Sequence, residues 1–406
     1  MFARLRPLRE DYPFQFWLLF SGMFISVLGM SMIWPFLMIY AKNKLALPMG
    51  QVASLMTVNA LFALIFSFIA GPIIDKAGRK WTMVFSLFAS SVGFLLFNFA
   101  ETLQAFALVM AVRGAVAPLY QIGADAMLAD LTTPEKRADA FALTRMSKNA
   151  AIALGPAIGG FLADISYTIT FYLAAGGLAI FAILIAAMAI ETRPDGEISR
   201  DTDRNPFAGY GQIFRDRPFM GLVIGFTLTS VCATLVWVLL GVYVTENFGM
   251  RESLYGFIPM TNALMVVFFQ VLVTSRSKHQ PPLRVMAAGS FLYALAVTSI
   301  AFGTNFWSFW LSMVILTTGE LLLVPTATTV AANLAPIHMR GRYMGLYSLS
   351  WQVAAGIGPV MGGILNDQFA PQAIWYGGGV IGLIATLNFI RLALQNQRTP
   401  TEFVTD

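Results

Sequence analysis

Apolar residues run along this chain in blocks of about twenty or more, each closed by a short cluster of charged residues, Pro or Gly. Roughly 20 apolar residues in a helix span the hydrocarbon core of a bilayer, so each block reads as a membrane-crossing helix. Twelve spans are predicted, near 14–40, 50–74, 81–100, 103–130, 138–164, 168–190, 218–246, 253–274, 283–303, 305–333, 341–366 and 371–394. The first follows Arg4, Arg6 and Arg9; it is too long for the core of a signal peptide and lacks a small-residue cleavage site. The longest polar stretch predicts the division of the chain: a first six-helix bundle over 1–190, a cytoplasmic linker over 191–217 and a second six-helix bundle over 218–406.

Composition supports that pattern. Of 406 residues, 57% are hydrophobic and 12% charged, against about 25% charged in soluble proteins. With a mean hydropathy of +0.69, a soluble enzyme, a nucleic-acid binder and a secreted disulfide scaffold are poor fits. The net charge of +5 resolves into topology. With the N-terminus inside, 22 of the 26 Lys and Arg residues fall in inner segments, as the positive-inside rule demands. Only Lys42, Lys44 and Arg251 fall outside, and Arg113 is left within a span. Both termini are therefore expected in the cytoplasm, and the basic excess indicates no nucleic-acid partner. The single cysteine, Cys232, excludes an intrachain disulfide and a Cys-ligated cluster. His279 and His338 fall in polar connections and no metal site is expected. No GxxxxGK[ST] segment suggests an ATP-driven pump.

The two halves contain a repeat. Arg137 to Asp164 aligns without gaps, at an offset of 203, on Arg340 to Asp367, with ten of 28 positions identical. The shared core is Gly155-Pro156-x-x-Gly159-Gly160 and Gly358-Pro359-x-x-Gly362-Gly363. Small residues let helices approach closely, and duplicated bundles are a common transporter plan with the site at the repeat interface.

Between the second and third spans lies Gly71-Pro-Ile-Ile-Asp75-Lys-Ala-Gly78-Arg79-Lys80. This loop, with Arg113-Gly114 in the fourth span and Gly155-Pro156-Ala-Ile-Gly159-Gly160 in the fifth, resembles the signatures of the major facilitator superfamily, over essentially the whole chain. The resemblance is greatest to the drug:H+ antiporter branch. It implies an all-α membrane protein of twelve transmembrane helices in two pseudo-symmetric six-helix bundles, and a proton-driven transporter with no bound cofactor. It also implies that Gly71, Asp75, Gly78, Arg79 and Lys80 clasp Asp130 at the cytoplasmic rim. The alternative is a turn that only fixes topology. The corresponding loop of the second half, Thr274-Ser-Arg-Ser-Lys-His-Gln-Pro-Pro, has lost its acid and glycines. The GPxxGG helices are read first as packing elements, and the resemblance adds a role in antiport.

Ionisable groups inside spans are costly in hydrocarbon unless they face a cavity or a partner, so Arg113, Asp125 and Glu320 are candidate proton-coupling residues. Glu320 lies mid-span in an apolar context, where burial favours the neutral acid, a property suited to reversible protonation. Arg113 and Glu320 each precede a proline by five residues, Pro118 and Pro325, which places opposite charges at corresponding depths of the fourth and tenth spans. Either they influence one another across the cavity or each bonds within its own bundle. Asp125 is read as a second proton carrier or as the partner of Arg145 or Lys148. By fold analogy, Trp34, Tyr120, Gln121, Arg145, Asn149, Trp237, Asn262, Gln270, Trp351 and Gln352 are candidate cavity residues. Such aromatic and amide surfaces suit a bulky, cationic amphiphile.

The expected function is multidrug efflux by proton antiport, in a monomer of the bacterial inner membrane whose partners are a small-molecule substrate, protons and the bilayer. The alternative is a symporter or a metabolite or lysolipid exporter on the same scaffold. An enzyme is not expected, because no span holds a His or paired carboxylates at metal spacing.

Overall fold

The computed structural model describes residues 12–192, 210–336 and 339–398. They form twelve long helices: α1 Phe14–Leu45, α2 Met49–Ala77, α3 Arg79–Phe99, α4 Leu103–Asp130, α5 Pro134–Ile165, α6 Tyr167–Met188, α7 Arg217–Phe248, α8 Phe257–Ser277, α9 Pro282–Ile300, α10 Phe306–Leu334, α11 Arg340–Gln368 and α12 Ala373–Arg398. Two short helices, Tyr210–Arg215 and Glu252–Tyr255, precede α7 and α8. The predicted linker lies largely outside the described residues, as do Arg4, Arg6, Arg9 and His338.

Ten of the long helices are apolar and long enough to cross a bilayer. The remaining two are α5 and α11, the repeat mates, whose ions, hydroxyls and glycines dilute their hydrophobicity.

Local chemistry sets the helix ends. Thr102 accepts from the amide of Ala105 at the start of α4, and Asp216 from the amide of Phe219 at the start of α7, satisfying donors that have no partner within the helix. Asn305 and Ser308 form a reciprocal capping box on α10. Gly249 ends α7 at φ 61°, a left-handed conformation that only glycine adopts without steric cost. Prolines interrupt α1, α2, α4, α5, α10 and α11. Each removes a ladder donor, which a membrane helix tolerates where a neighbour compensates. At Pro325 the neighbour is Gln270: its Nε2 donates to the carbonyl of Leu321, four residues before the proline, at 3.2 Å.

The chain forms two compact units. Unit 1 comprises Met1–Leu45, Val58–Ile198 and Arg251–Ala263; unit 2 comprises Ala46–Thr57, Ser199–Met250 and Leu264–Asp406. This departs from a simple cut at the linker, because each half of the sequence contributes one short segment to the other unit. Within unit 1, α1 packs on α5 and α6, and α3 on α4 and α6. Within unit 2, α7 packs on α11 and α12, and α9 on α10 and α12. The second set is the first shifted by six helices, so the duplication seen in sequence is a duplication of packing.

The glycine pairs show why. A Cβ on Gly155 or Gly159 would collide with Ser31 or with the backbone of Met32 on α1, and one on Gly358 or Gly362 with Thr234 or Leu239 on α7. Ser31 donates to the carbonyl of Ala151 at 3.1 Å, and Thr234 to that of Ala354 at 3.1 Å. Both bonds join residues related by the repeat offset. The third glycines meet the exchanged segments. Gly160 abuts the backbone of Glu252 in unit 1, and Gly363 that of Gly50 in unit 2. Beside them, Asp164 accepts from the amide of Ser253 at 3.2 Å, while Asp367 accepts from the amides of Met49 and Gly50 at 3.0 and 2.7 Å.

Candidate functional site

The loop between α2 and α3 is one residue long. Gly78 takes φ 87°, which a side chain would strain, and this permits the reversal. Arg79 Nε then lies 2.6 Å from Asp130 Oδ2 at the end of α4, an ion pair by distance whose N–H is not aligned on the oxygen. Thr192 donates to the same oxygen at 2.9 Å. Glu191, which the sequence placed in the linker, accepts from the amides of Arg79 and Lys80 at 2.9 and 3.0 Å. Its carboxylate caps the first turn of α3, where the helix dipole favours negative charge. The segment is pinned further by Gln15, which exchanges two hydrogen bonds with the backbone of Ile190. Lys80 sits over the ring of Trp81 at 5.1 Å. Gly71 has open space where a Cβ would stand. The side chain of Asp75 lies outside the described residues.

Further into unit 1, Asp125 accepts from Gln121 at 2.8 Å and lies 3.7 Å from the ammonium of Lys148. These side chains bridge α4 and α5. Of the two basic partners considered for Asp125, Lys148 is the one in reach, while Arg145 is exposed. Tyr120 packs edge-on to Phe181.

Arg113 is buried with 4% of its surface exposed. Its guanidinium lies 4.0 Å from the centre of the Phe94 ring, and its aliphatic stem passes over Gly93, where a Cβ would stand 2.9 Å from Cγ. The glycine therefore makes room for the side chain to lie on α3. Among the described residues no carboxylate pairs with Arg113, and the ring face supplies the compensating negative potential.

In unit 2, Gly289 and Gly319 bring α9 against α10, each meeting the other's carbonyl within 3 Å of a would-be Cβ. The next residue along α10 is Glu320. Its side chain lines a cavity of about 180 Å³, whose wall is formed by Phe226, Thr229, Ser230, Ala233 and Trp237 of α7, Tyr293 of α9, Leu323 and Val324 of α10, and Trp351 of α11. Thr229 is held by a 2.9 Å hydrogen bond to Ser290. The structure thus gathers Glu320, Trp237 and Trp351 from the predicted set. It adds Phe226, Tyr293, Thr229 and Ser230, which sequence reasoning missed because their neighbours in space come from four different helices. Gln270 is engaged with Thr274 and the Leu321 carbonyl, and Asn262 is buried in the segment that belongs to unit 1. Trp34, Asn149 and Gln352 are partly buried outside this cavity.

A duplicated bundle of membrane helices with a carboxyl-bearing cavity is the plan of a transporter, and the family model described as Major Facilitator Superfamily matches residues 19–279 and 222–405. The chain belongs to the Major Facilitator Superfamily. As a member it is a secondary active transporter of small molecules, embedded in a membrane by multiple helices. The facilitator chain is 25% identical over 403 residues to a Na(+), Li(+), K(+)/H(+) antiporter of Planococcus maritimus, covering 90% of this chain and 92% of that protein. It is 25% identical to Multidrug resistance protein MdtH of Yersinia pestis (strain Pestoides F), covering 91% and 92%. The crystal structure of a POT family transporter in complex with a thioalcohol conjugated peptide superposes with a TM-score of 0.80 at 17% identity, over 96% of this chain and 99% of that one. That likeness establishes the shared facilitator fold.

Proposed function

We propose that this protein is a proton-coupled transporter of a small organic metabolite, with Glu320 as the group that exchanges the proton. The observation that carries the reading is the placement of a carboxyl in an aromatic-walled cavity inside unit 2. An ionised carboxylate there is costly, and either a proton or a cationic group of the substrate lowers that cost. Competition between the two for one carboxyl is a direct means of coupling.

The cavity, at about 180 Å³, is smaller than the roughly 300–1,000 Å³ pockets that enclose drug-sized ligands, which supports a metabolite. Tyr293, Trp237 and Trp351 offer flat apolar surface, and Thr229 and Ser230 offer hydroxyls. This suits a compact solute with a ring or short apolar body and one or two polar groups. A second reading, export of hydrophobic cations by antiport, is favoured by the names of the antiporter and multidrug-resistance relatives and by the affinity of aromatic walls for cations.

In this reading the Arg79, Asp130 and Glu191 cluster acts as a clasp that steadies one end of unit 1 during the cycle, and the basic residues set both termini on the cytoplasmic side. The deciding experiment is flux in proteoliposomes under an imposed pH gradient, with a panel of metabolites and cationic dyes. Metabolite uptake driven with the proton gradient supports the first reading. Dye movement against it supports the second. Undiminished proton-driven flux in Glu320→Gln overturns both.

A further inference from the structure

Away from the Glu320 cavity, a second cleft of about 240 Å³ opens in unit 2 between the end of α8 and the last third of α10. Its lining includes Thr274, Lys278 and Gln280 on one side and Pro325, Thr326 and Thr329 on the other. We propose that this cleft holds the phosphate headgroup of an anionic bilayer phospholipid.

The donors fit a phosphate. Lys278 is exposed and its ammonium makes no ion pair among the described residues. Thr274 accepts from Gln270 at 2.9 Å, and its own proton is committed to no acceptor among the described residues. Gln280 adds an amide. The carbonyl freed by Pro325 is already taken by Gln270, so it does not compete for these donors. The surrounding charge has a single sign. From Ser253 to Gly319 there is no Asp or Glu, whereas Arg276, Lys278 and Arg284 lie within nine residues of one another. Basic pockets of this kind at membrane helix ends attract anionic headgroups, with each nearby Lys or Arg strengthening binding.

The apolar surface beside the cleft identifies the source as a lipid. Val267, Val271 and Thr274 lie on one face of α8, and Lys278, one residue past its end with its amide donating to the Thr274 carbonyl at 3.0 Å, continues that face. Val267 and Val271 are 44% and 79% exposed. One helical face therefore passes from bare apolar side chains to a hydroxyl and then to an ammonium. That sequence matches an acyl chain, a glycerol and a phosphate. A free phosphate would leave the valine stripe without a role.

The test uses the full chain purified in mild detergent, with phosphatidylglycerol and phosphatidylcholine as probes and retained lipid counted by native mass spectrometry. Wild type is expected to retain phosphatidylglycerol in preference to phosphatidylcholine. Lys278→Gln is expected to lower phosphatidylglycerol retention about fivefold, the factor for one basic residue near the surface, and Val271→Asn to lower it as well. Arg251→Gln, on the unit 1 segment, should leave it unchanged. Thr274→Val gives a second, uncharged probe of the headgroup contact. Equal retention in wild type and Lys278→Gln overturns the proposal. So does equal retention of the two lipids, or displacement of phosphatidylglycerol by glycerol phosphate at equal concentration, which would mark a soluble anion as the ligand.

Discussion

The two units share a scaffold and differ in how they treat charge. In unit 1, Asp130 is engaged by Arg79 and Thr192, Asp125 lies between Gln121 and Lys148, and Arg113 is covered by the Phe94 ring. In unit 2, the carboxyl of Glu320 lines a cavity walled by Phe226, Trp237, Tyr293 and Trp351. The packing contacts around the GPxxGG helices recur in both units, with Asp164 and Asp367 beside them, whereas Arg113, Asp125 and Asp130 have no ionisable counterpart at the repeat offset. Duplication preserved what holds the helices together, and the chemistry was placed on top of it. A charge held between side chains of its own unit stabilises that unit; a carboxyl on a cavity wall faces the space a ligand would fill.

The largest expected effect separates these two roles. Glu320→Gln should reduce proton-driven transport at least tenfold, about 1.4 kcal/mol or more in the coupling step, while leaving the melting temperature close to wild type. Asp125→Asn should reduce it less than threefold. Flux in proteoliposomes under a pH jump, read beside thermal unfolding, checks both. Equal losses in the two variants would erase the contrast between the units.

Next come the shared packing contacts. Gly160→Val and Gly363→Val each force a side chain into backbone, of Glu252 and of Gly50 respectively, and each should cost about 1–3 kcal/mol. The expected outcome is a similar fall in melting temperature for both, measured in the same detergent. A large difference would show that the repeat contacts are not energetically equivalent.

A smaller and unequal effect is expected at the carboxylates beside them. Asp367 accepts two amide hydrogens and Asp164 accepts one. Asp367→Ala should therefore cost about 1–2 kcal/mol and Asp164→Ala about 0.5–1 kcal/mol. Denaturation of the two variants in parallel ranks them. The smallest effect belongs to Lys148→Gln. Its partner Asp125 is 41% exposed and the pair is 3.7 Å apart, so the loss should stay under about 1 kcal/mol and shrink as salt is raised.

Much of this architecture was legible in the linear chain. Hydrophobic block length revealed the helices, and the repeat at an offset of 203 anticipated the doubled packing pattern. Glu320 stood out because an acid in the middle of an apolar block has few structural reasons to be there. The pairing of Asp130 with the loop after α2 was also readable, since both fall at the same end of adjacent helices. Other features were not. Glu191 was placed in the linker, just past the sixth span, and no spacing rule indicates that its carboxylate returns to cap α3. Arg113 was read as a proton-coupling candidate acting either across the cavity or within its own bundle, and nothing in the chain order shows that Gly93 leaves room for it to lie on Phe94. The segments Ala46–Thr57 and Arg251–Ala263 look like the beginnings of ordinary spans, but the glycines and aspartates of α11 and α5 claim them for the other unit.

By itself the sequence determined the membrane environment, the helices, the duplication and the short list of charges inside the spans, because each depends on local hydrophobicity, spacing or the cost of an ion in hydrocarbon. Only the tertiary structure decided which of those charges are covered and which line a cavity. That outcome depends on contacts between helices far apart in the chain, where a missing Cβ or a ring face sets the direction of a long side chain.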